Sequence, residues 1–171
     1  ENQVYGLDNA NDLILSNDGG YIITGQYHAQ HPDVLILKID GQGNLENKYT
    51  ISTASPSQRI IESGKSILTF NDSYLILGSI SQSSANGPSN IWLFEYDVSL
   101  SDGGDTLWSK IWNLDTYDVP EKIILTSDGS FAFSGYSLNN SGELEFSWII
   151  NTDINGNELS SIILPSGSYI Y

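Results

Sequence analysis

The chain says nearly the same thing three times. "SNDGGYIITG" at residues 16–25 returns as "TFNDSYLILG" at 69–78 and as "TSDGSFAFSG" at 126–135. Asp18, Asp72 and Asp128 lie 54 and 56 residues apart, and Gly25, Gly78 and Gly135 lie 53 and 57 apart, so two anchors report one period. A period of ~20–50 residues or slightly more belongs to stacked repeat units, none of which buries its apolar surface alone. A second block follows each first one: "DVLILKID" (33–40), "NIWLFEYD" (90–97) and "FSWIINTD" (146–153), all ending in Asp. A polar turn then leads into a further short run, "LENKYTI", "TLWSKIW" or "ELSSIIL".

Each unit therefore reads as four strands. The first is "DLILS", "KSILTF" or "EKIILTS", the second holds the glycine, the third ends in Asp, and the fourth is more polar. Asn, Asp and Gly between the first two reach positive φ cheaply and mark a tight hairpin. "YLILG" and "VLILKI" are almost continuously apolar, the pattern of strands covered on both faces. The fourth strand alternates, as an edge strand does. No segment keeps apolar residues at i, i+3, i+4 and i+7 over three turns, so no helix is expected. The expected fold is all-β, a β-propeller of four-stranded antiparallel blades. The boundaries are 8–51 for blade 1, 60–113 for blade 2 and 119–165 for blade 3, with 1–6 and 166–171 as partial strands of neighbouring blades.

Three blades do not close a ring, since propellers have ~4–8. Either two copies join, or other blades of a longer polypeptide complete the ring; the ragged ends favour the longer polypeptide. The chain opens "ENQVYG" without an initiating Met, which fits a removed secretion signal or a segment of a longer protein. An open half-ring leaves apolar faces on its end blades.

The succession "DGGYIITG", "DVLILKIDGQGN" and an aromatic-bearing strand such as "TLWSKIW" resembles the propeller repeats of secreted and cell-surface bacterial and archaeal proteins. The resemblance spans nearly the whole chain. The third unit follows it well, whereas the second lacks the Gly pair after Asp72 and lengthens its outer turn to "VSLSDGGD". It implies a propeller in an extracellular or cell-surface setting and brings no catalytic residue with it. Propellers host many unrelated functions.

Six basic against 21 acidic residues give a formal net charge of −15, which repels phosphate backbones and anionic membranes and makes nucleic acid an unsuitable partner. No apolar run approaches the ~18 residues of a membrane-spanning helix. With no Cys, a disulfide framework, a thiolate metal knot and a thiol nucleophile are all excluded.

Several residue groups invite chemistry. His28, His31 and Asp33 in "HAQHPD" offer two imidazoles and a carboxylate to a zinc or copper ion, but a fourth ligand is not evident and solvated loop residues explain them equally. Asp40 with Asn44, and Asp153 with Asn155, Asn157 and Glu158, group oxygen ligands that suit Ca²⁺. They lack the spacing of a 12-residue calcium loop, and a tight hairpin demands the same residues. No cofactor is expected, with Ca²⁺ as the open alternative. Trp92 and Trp148 hold equivalent places in the third strand, which points to packing between blades, and Trp108 and Trp112 share one side of a fourth strand; stacking on a glycan or peptide is the competing role. Glu143 and Glu145 are a carboxylate pair of the kind an acidic chain produces by chance. The sequons at Asn71 and Asn139 fall in expected turns. No GxSxG elbow or phosphate loop is present.

The expected function is a non-enzymatic extracellular module that binds or scaffolds a protein or glycan. A self-assembling subunit of a surface ring or filament and part of a secreted polysaccharide-acting enzyme are the alternatives, and further blades of the same or an identical chain are possible partners.

Overall fold

A computed structural model of the protein describes residues 8–28, 32–53, 60–82, 88–99 and 104–166. The fold is all-β: three four-stranded antiparallel sheets form three blades of an unclosed propeller, with no helix among the described residues. Blade 1 contains β1 (Asn9–Leu15), β2 (Tyr21–His28), β3 (Pro32–Ile39) and β4 (Leu45–Ile51). Blade 2 contains β5 (Ile60–Phe70), β6 (Ser73–Gln82), β7 (Ser89–Asp97) and β8 (Asp105–Trp112). Blade 3 contains β9 (Tyr117–Leu125), β10 (Phe131–Leu138), β11 (Leu144–Thr152) and β12 (Glu158–Pro165). β9 starts two residues before the expected 119. The expected partial strands at 1–6 and 166–171 lie outside the described residues, apart from Ser166.

Strand order in every sheet follows the chain, so each blade is a meander. The first strand of each blade packs across the blade before it: β5 lies against β1, β2 and β3, and β9 against β5, β6 and β7. β1, β5 and β9 are the innermost strands, and β4, β8 and β12 the outermost. The turns between the first two strands of blades 1 and 3 are closed by Ser16 N–H to the Gly20 carbonyl and Thr126 N–H to the Ser130 carbonyl, both 2.9 Å. Gly19 and Gly129 take the positive φ there, 87° and 85°, that a three-residue hairpin loop needs. Blade 2, without that Gly, turns in two residues, Asn71 and Asp72, with Asn71 at φ 52°.

Each innermost strand carries a β-bulge at the same repeat position. One extra residue, Asn11, Lys65 or Glu121, interrupts the pairing with β2, β6 or β10 beside the anchor glycine. The bulge bends the inner strand towards the glycine. A Cβ on Gly25 would stand 1.8 Å from the Asn9 carbonyl oxygen, on Gly78 2.6 Å from that of Ser63, and on Gly135 2.2 Å from that of Val119. Close backbone approach, not turn formation, fixes this glycine. A second set of bulges, at Glu46, Leu107 and Leu159, breaks the pairing of each outermost strand and twists the exposed edge.

Two cores fill the two blade junctions. Between blades 1 and 2, Ile22, Val34 and Ile36 meet Ile67, Ile76, Trp92 and Phe94. Between blades 2 and 3, Leu75, Leu77, Ile91 and Leu93 meet Ile123, Phe131, Phe133, Trp148 and Ile150. The alternation of β6 and β7 thus sends even positions to one core and odd positions to the other, which is why these strands are apolar throughout. The end blades have one neighbour each. Leu13 and Leu15 on blade 1 are 59% and 69% exposed, and Ile124 and Ile162 on blade 3 are exposed as well.

Candidate functional site

The residue after each inner bulge is Asp12, Ser66 or Lys122, and the three meet near the centre of the half-ring. Asp12 Oδ2 accepts from Ser66 Oγ at 2.7 Å, from the Ile67 N–H at 3.1 Å and from Lys122 Nζ at 2.7 Å. Ser66 Oγ in turn accepts from the Ile123 N–H at 3.4 Å. One carboxylate therefore ties all three blades. Although burial opposes ionisation most strongly, the bonds from Lys122, Ser66 and Ile67 together hold the Asp12 carboxyl below its ordinary range. Asn11 adds a bond from Nδ2 to the Gly64 carbonyl at 2.7 Å.

A second repeated position is acidic: Asp8, Glu62 and Asp118, 54 and 56 residues apart. Glu62 accepts from the Thr53 N–H at 3.0 Å, and Asp118 from the Leu114 N–H at 3.1 Å. Thr53 and Leu114 each lie two residues beyond the outermost strand of the preceding blade, so the acid fastens the chain where it returns from rim to centre. Asp118 also accepts from Thr116 Oγ1 at 3.0 Å and Ser137 Oγ at 2.7 Å. The preceding blade donates to the backbone carbonyl of the same residue, from Gln26 Nε2 to Glu62 at 3.0 Å and from Ser89 Oγ to Asp118 at 2.8 Å. In blade 1, Asp8 accepts instead from the His28 N–H at 3.0 Å and pairs with Lys48 at 3.6 Å.

Glu62 and Asp118 are fully buried. Desolvation, the dominant cause, pushes both carboxyls above their ordinary values of 4.5 and 3.8. A folded-state pKa raised in this way means that the native protein binds the proton more tightly than the unfolded chain. The stability gained is present below the ordinary value and is lost as pH rises through the folded-state value. Glu62→Gln and Asp118→Asn are each expected to flatten the fall of unfolding free energy between about pH 5 and 8, by on the order of 1 kcal/mol. Urea titrations across that range check the slope, and an unchanged slope would show that burial does not hold these protons.

The sequence candidates separate into distinct fates. His28 ends β2 opposite Pro32, its Nδ1 is buried without a hydrogen-bond partner, and Asp33 lies one pair along, opposite Tyr27. His31 lies outside the described residues. Among the described residues no group of three or more His, Cys, Asp or Glu is placed to hold a metal ion. The Asp40 carboxylate is occupied by its own turn, accepting from the N–H groups of Gln42 and Asn44 on Oδ1 and from the Asn44 side chain on Oδ2. Asp153 repeats the arrangement with Asn155 and Asn157. These bonds hold both carboxyls below the ordinary range, the Asn44 and Asn157 side chains contributing most.

Glu158 accepts from Trp112 Nε1 at 3.1 Å, joining the outer strands of blades 2 and 3. Trp92 and Trp148 are core residues. Trp108 donates to Glu95 at 2.5 Å and packs beside Gly156 of the next blade, while Trp112 meets Phe133 edge-on at 5.1 Å. All four tryptophans therefore pack within or between blades. Asn71 is exposed in its turn, whereas the Asn139 amide is engaged with Ser141 and Glu143.

Glu143 lies in that turn, and Glu145 lines a half-polar cleft of about 260 Å³ with Asp115, Thr116, Leu138, Asn139 and Asn140. Asp115 has φ 63°. The two carboxylates that burial perturbs have no exposed surface and reach no substrate in this cleft. A second hollow, of about 190 Å³, is almost wholly apolar and lies on the free face of blade 3.

No protein-family model matches the chain, and no curated protein matches it.

The acidic repeat and the post-bulge network were not singled out from sequence. The signal for both was their spacing of 54 and 56, the same period that the turn aspartates report.

Proposed function

We propose that this chain is a non-enzymatic binding or scaffold module that works by presenting the two free faces of its half-ring to other β-sheets or extended surfaces. The observation that carries this reading is the contrast between faces: positions that are sealed at the two internal junctions recur on the end blades as exposed Leu13, Tyr21, Ile124 and Ile149. Apolar area arranged in this way is the mark of an interaction surface. The strongest perturbed carboxylates are committed to fastening blades, which leaves the molecule without a raised acid facing a cleft, the feature a glycosidase needs. An extracellular or cell-surface setting rests on the resemblance of the repeats.

Two assays test the reading together. A photo-crosslinking residue at Leu13 or Ile149 is expected to capture a discrete protein partner in the source organism, or else the chain is retarded by a soluble polysaccharide in affinity electrophoresis. Release of reducing ends from any polysaccharide overturns it, as does the absence of both crosslink and retardation.

A further inference from the structure

We infer that the free face of blade 3 is a socket for an aromatic side chain, flanked by a carboxylate, on a sheet that is not a second copy of this chain. The inference rests on the binding-module reading and names the chemistry of the partner.

Both internal junctions follow one plan. The face that a blade turns to its successor receives a tryptophan from the successor's third strand. Ile22, Val34 and Ile36 of blade 1 receive Trp92, and Leu75, Leu77, Ile91 and Leu93 of blade 2 receive Trp148. On blade 3 the same repeat positions, set by the pairing around Gly135, are Ala132, Ser134, Ser147 and Ile149. Three of the four are small, and the shortfall is the apolar hollow of about 190 Å³ bounded by Ala132, Ser134, Ile124 and Ile149. That volume lies below the ~300 Å³ of small-molecule pockets and suits a single side chain.

A second copy does not fill it. Its blade 1 would present Leu35, opposite Gly25, where Trp92 stands opposite Gly78 and Trp148 opposite Gly135. A smaller side chain would then meet a larger hollow, and voids at apolar contacts are costly. The polar contact fails too. At each internal junction the post-bulge side chain accepts the next inner strand's N–H: Asp12 from Ile67 at 3.1 Å, and Ser66 from Ile123 at 3.4 Å. On blade 3 that residue is Lys122, an ammonium with donors only. It would face the Leu13 N–H of the copy, which is already bonded to Asp12 Oδ1 at 3.1 Å. Donor would meet donor. An incoming sheet that supplies an aromatic ring and an acceptor, best a carboxylate, satisfies both positions.

The test uses indole-3-acetate, which joins the ring to the carboxylate, and indole, which lacks it, as probes of methyl-labelled protein by NMR. Indole-3-acetate is expected to shift the methyl signals of Ala132, Ile124 and Ile149 saturably. Ala132→Leu, which restores the residue of blade 2 at that position, is expected to weaken both probes at least tenfold, and Lys122→Met to weaken indole-3-acetate alone. The absence of saturable shifts at these methyls, or equal shifts on the Leu13 and Ile23 face, overturns the inference. So do concentration-dependent shifts of these methyls without probe, which would show a second copy, and binding that appears only when the chain is ended at Ser166, which would show its own tail as occupant. A partner crosslinked through Ile149 with no probe binding would leave the binding module standing and remove the aromatic socket.

Discussion

Gly135→Ala is expected to destabilise the protein by about 3 kcal/mol or more, a loss that few single methyl additions cause. The added carbon would lie 2.2 Å from the Val119 carbonyl oxygen on one side and 2.4 Å from Cζ2 of Trp148 on the other. Neither neighbour can yield. The carbonyl belongs to the bulged inner strand, and the indole is sealed in the core between blades 2 and 3. Gly25→Ala is expected to match it, with a 1.8 Å approach to the Asn9 carbonyl, and Gly78→Ala to cost less, since its approach is 2.6 Å. Gly129→Ala is the control. It stands at φ 85° with nothing within 4 Å, so only backbone strain of about 1 kcal/mol opposes it. Urea unfolding midpoints rank the four variants. A Gly135→Ala midpoint no lower than that of Gly129→Ala would mean that the bulge moves aside and that the glycine anchors nothing.

These glycines show where sequence reasoning reached and where it stopped. Their spacing revealed the repeat, and the apolar runs beside them revealed central strands, because both are local signals with a period. The cause of the glycine is not local. It lies in a bulge on a strand 15 residues earlier in the case of Gly25 and Ala10, and nothing in "NANDLIL" announces that Asn11 is the extra residue. Polar contacts between blades escape for the same reason. Asp12, Ser66 and Lys122 are three different residue types at one repeat position, so an eye for similarity passes over them, yet their difference is what lets a carboxylate accept from a hydroxyl and an ammonium. Asp8, Glu62 and Asp118 are alike and evenly spaced, but a lone acid ahead of an apolar strand reads as a solvated surface group until the returning chain is seen to close over it. The tryptophans were more legible, because equivalence of Trp92 and Trp148 in the third strand already implies a common role, and large aromatics at a both-sided apolar strand have few places to go but the core.

Trp92→Ala is expected to cost about 3–5 kcal/mol, the range for emptying a large aromatic site in a core. The side chain is 2% exposed, stacks on Phe94 with ring centroids 4.1 Å apart, and belongs to the core that joins blade 1 to blade 2. No other large aromatic of blade 1 can replace it there, since Leu35 holds the equivalent position and is turned to the opposite side of that sheet. The loss should be uneven through the molecule. Stability in stacked repeats is a sum of units and their junctions, so a weakened junction loosens the blade with no second neighbour. Blade 1 has only blade 2 to pack against, whereas blade 2 keeps its junction with blade 3 through Leu75, Leu77, Ile91 and Leu93. Amide exchange in Trp92→Ala is therefore expected to accelerate in β2 and β3 well before it does in β10 and β11. Trp148→Ala should reverse the order, exposing β10 and β11 first. Equal acceleration in all three blades in both variants would show that the half-ring unfolds as one unit, with Asp12 and its bonds to Ser66 and Lys122 coupling the blades more tightly than either apolar junction.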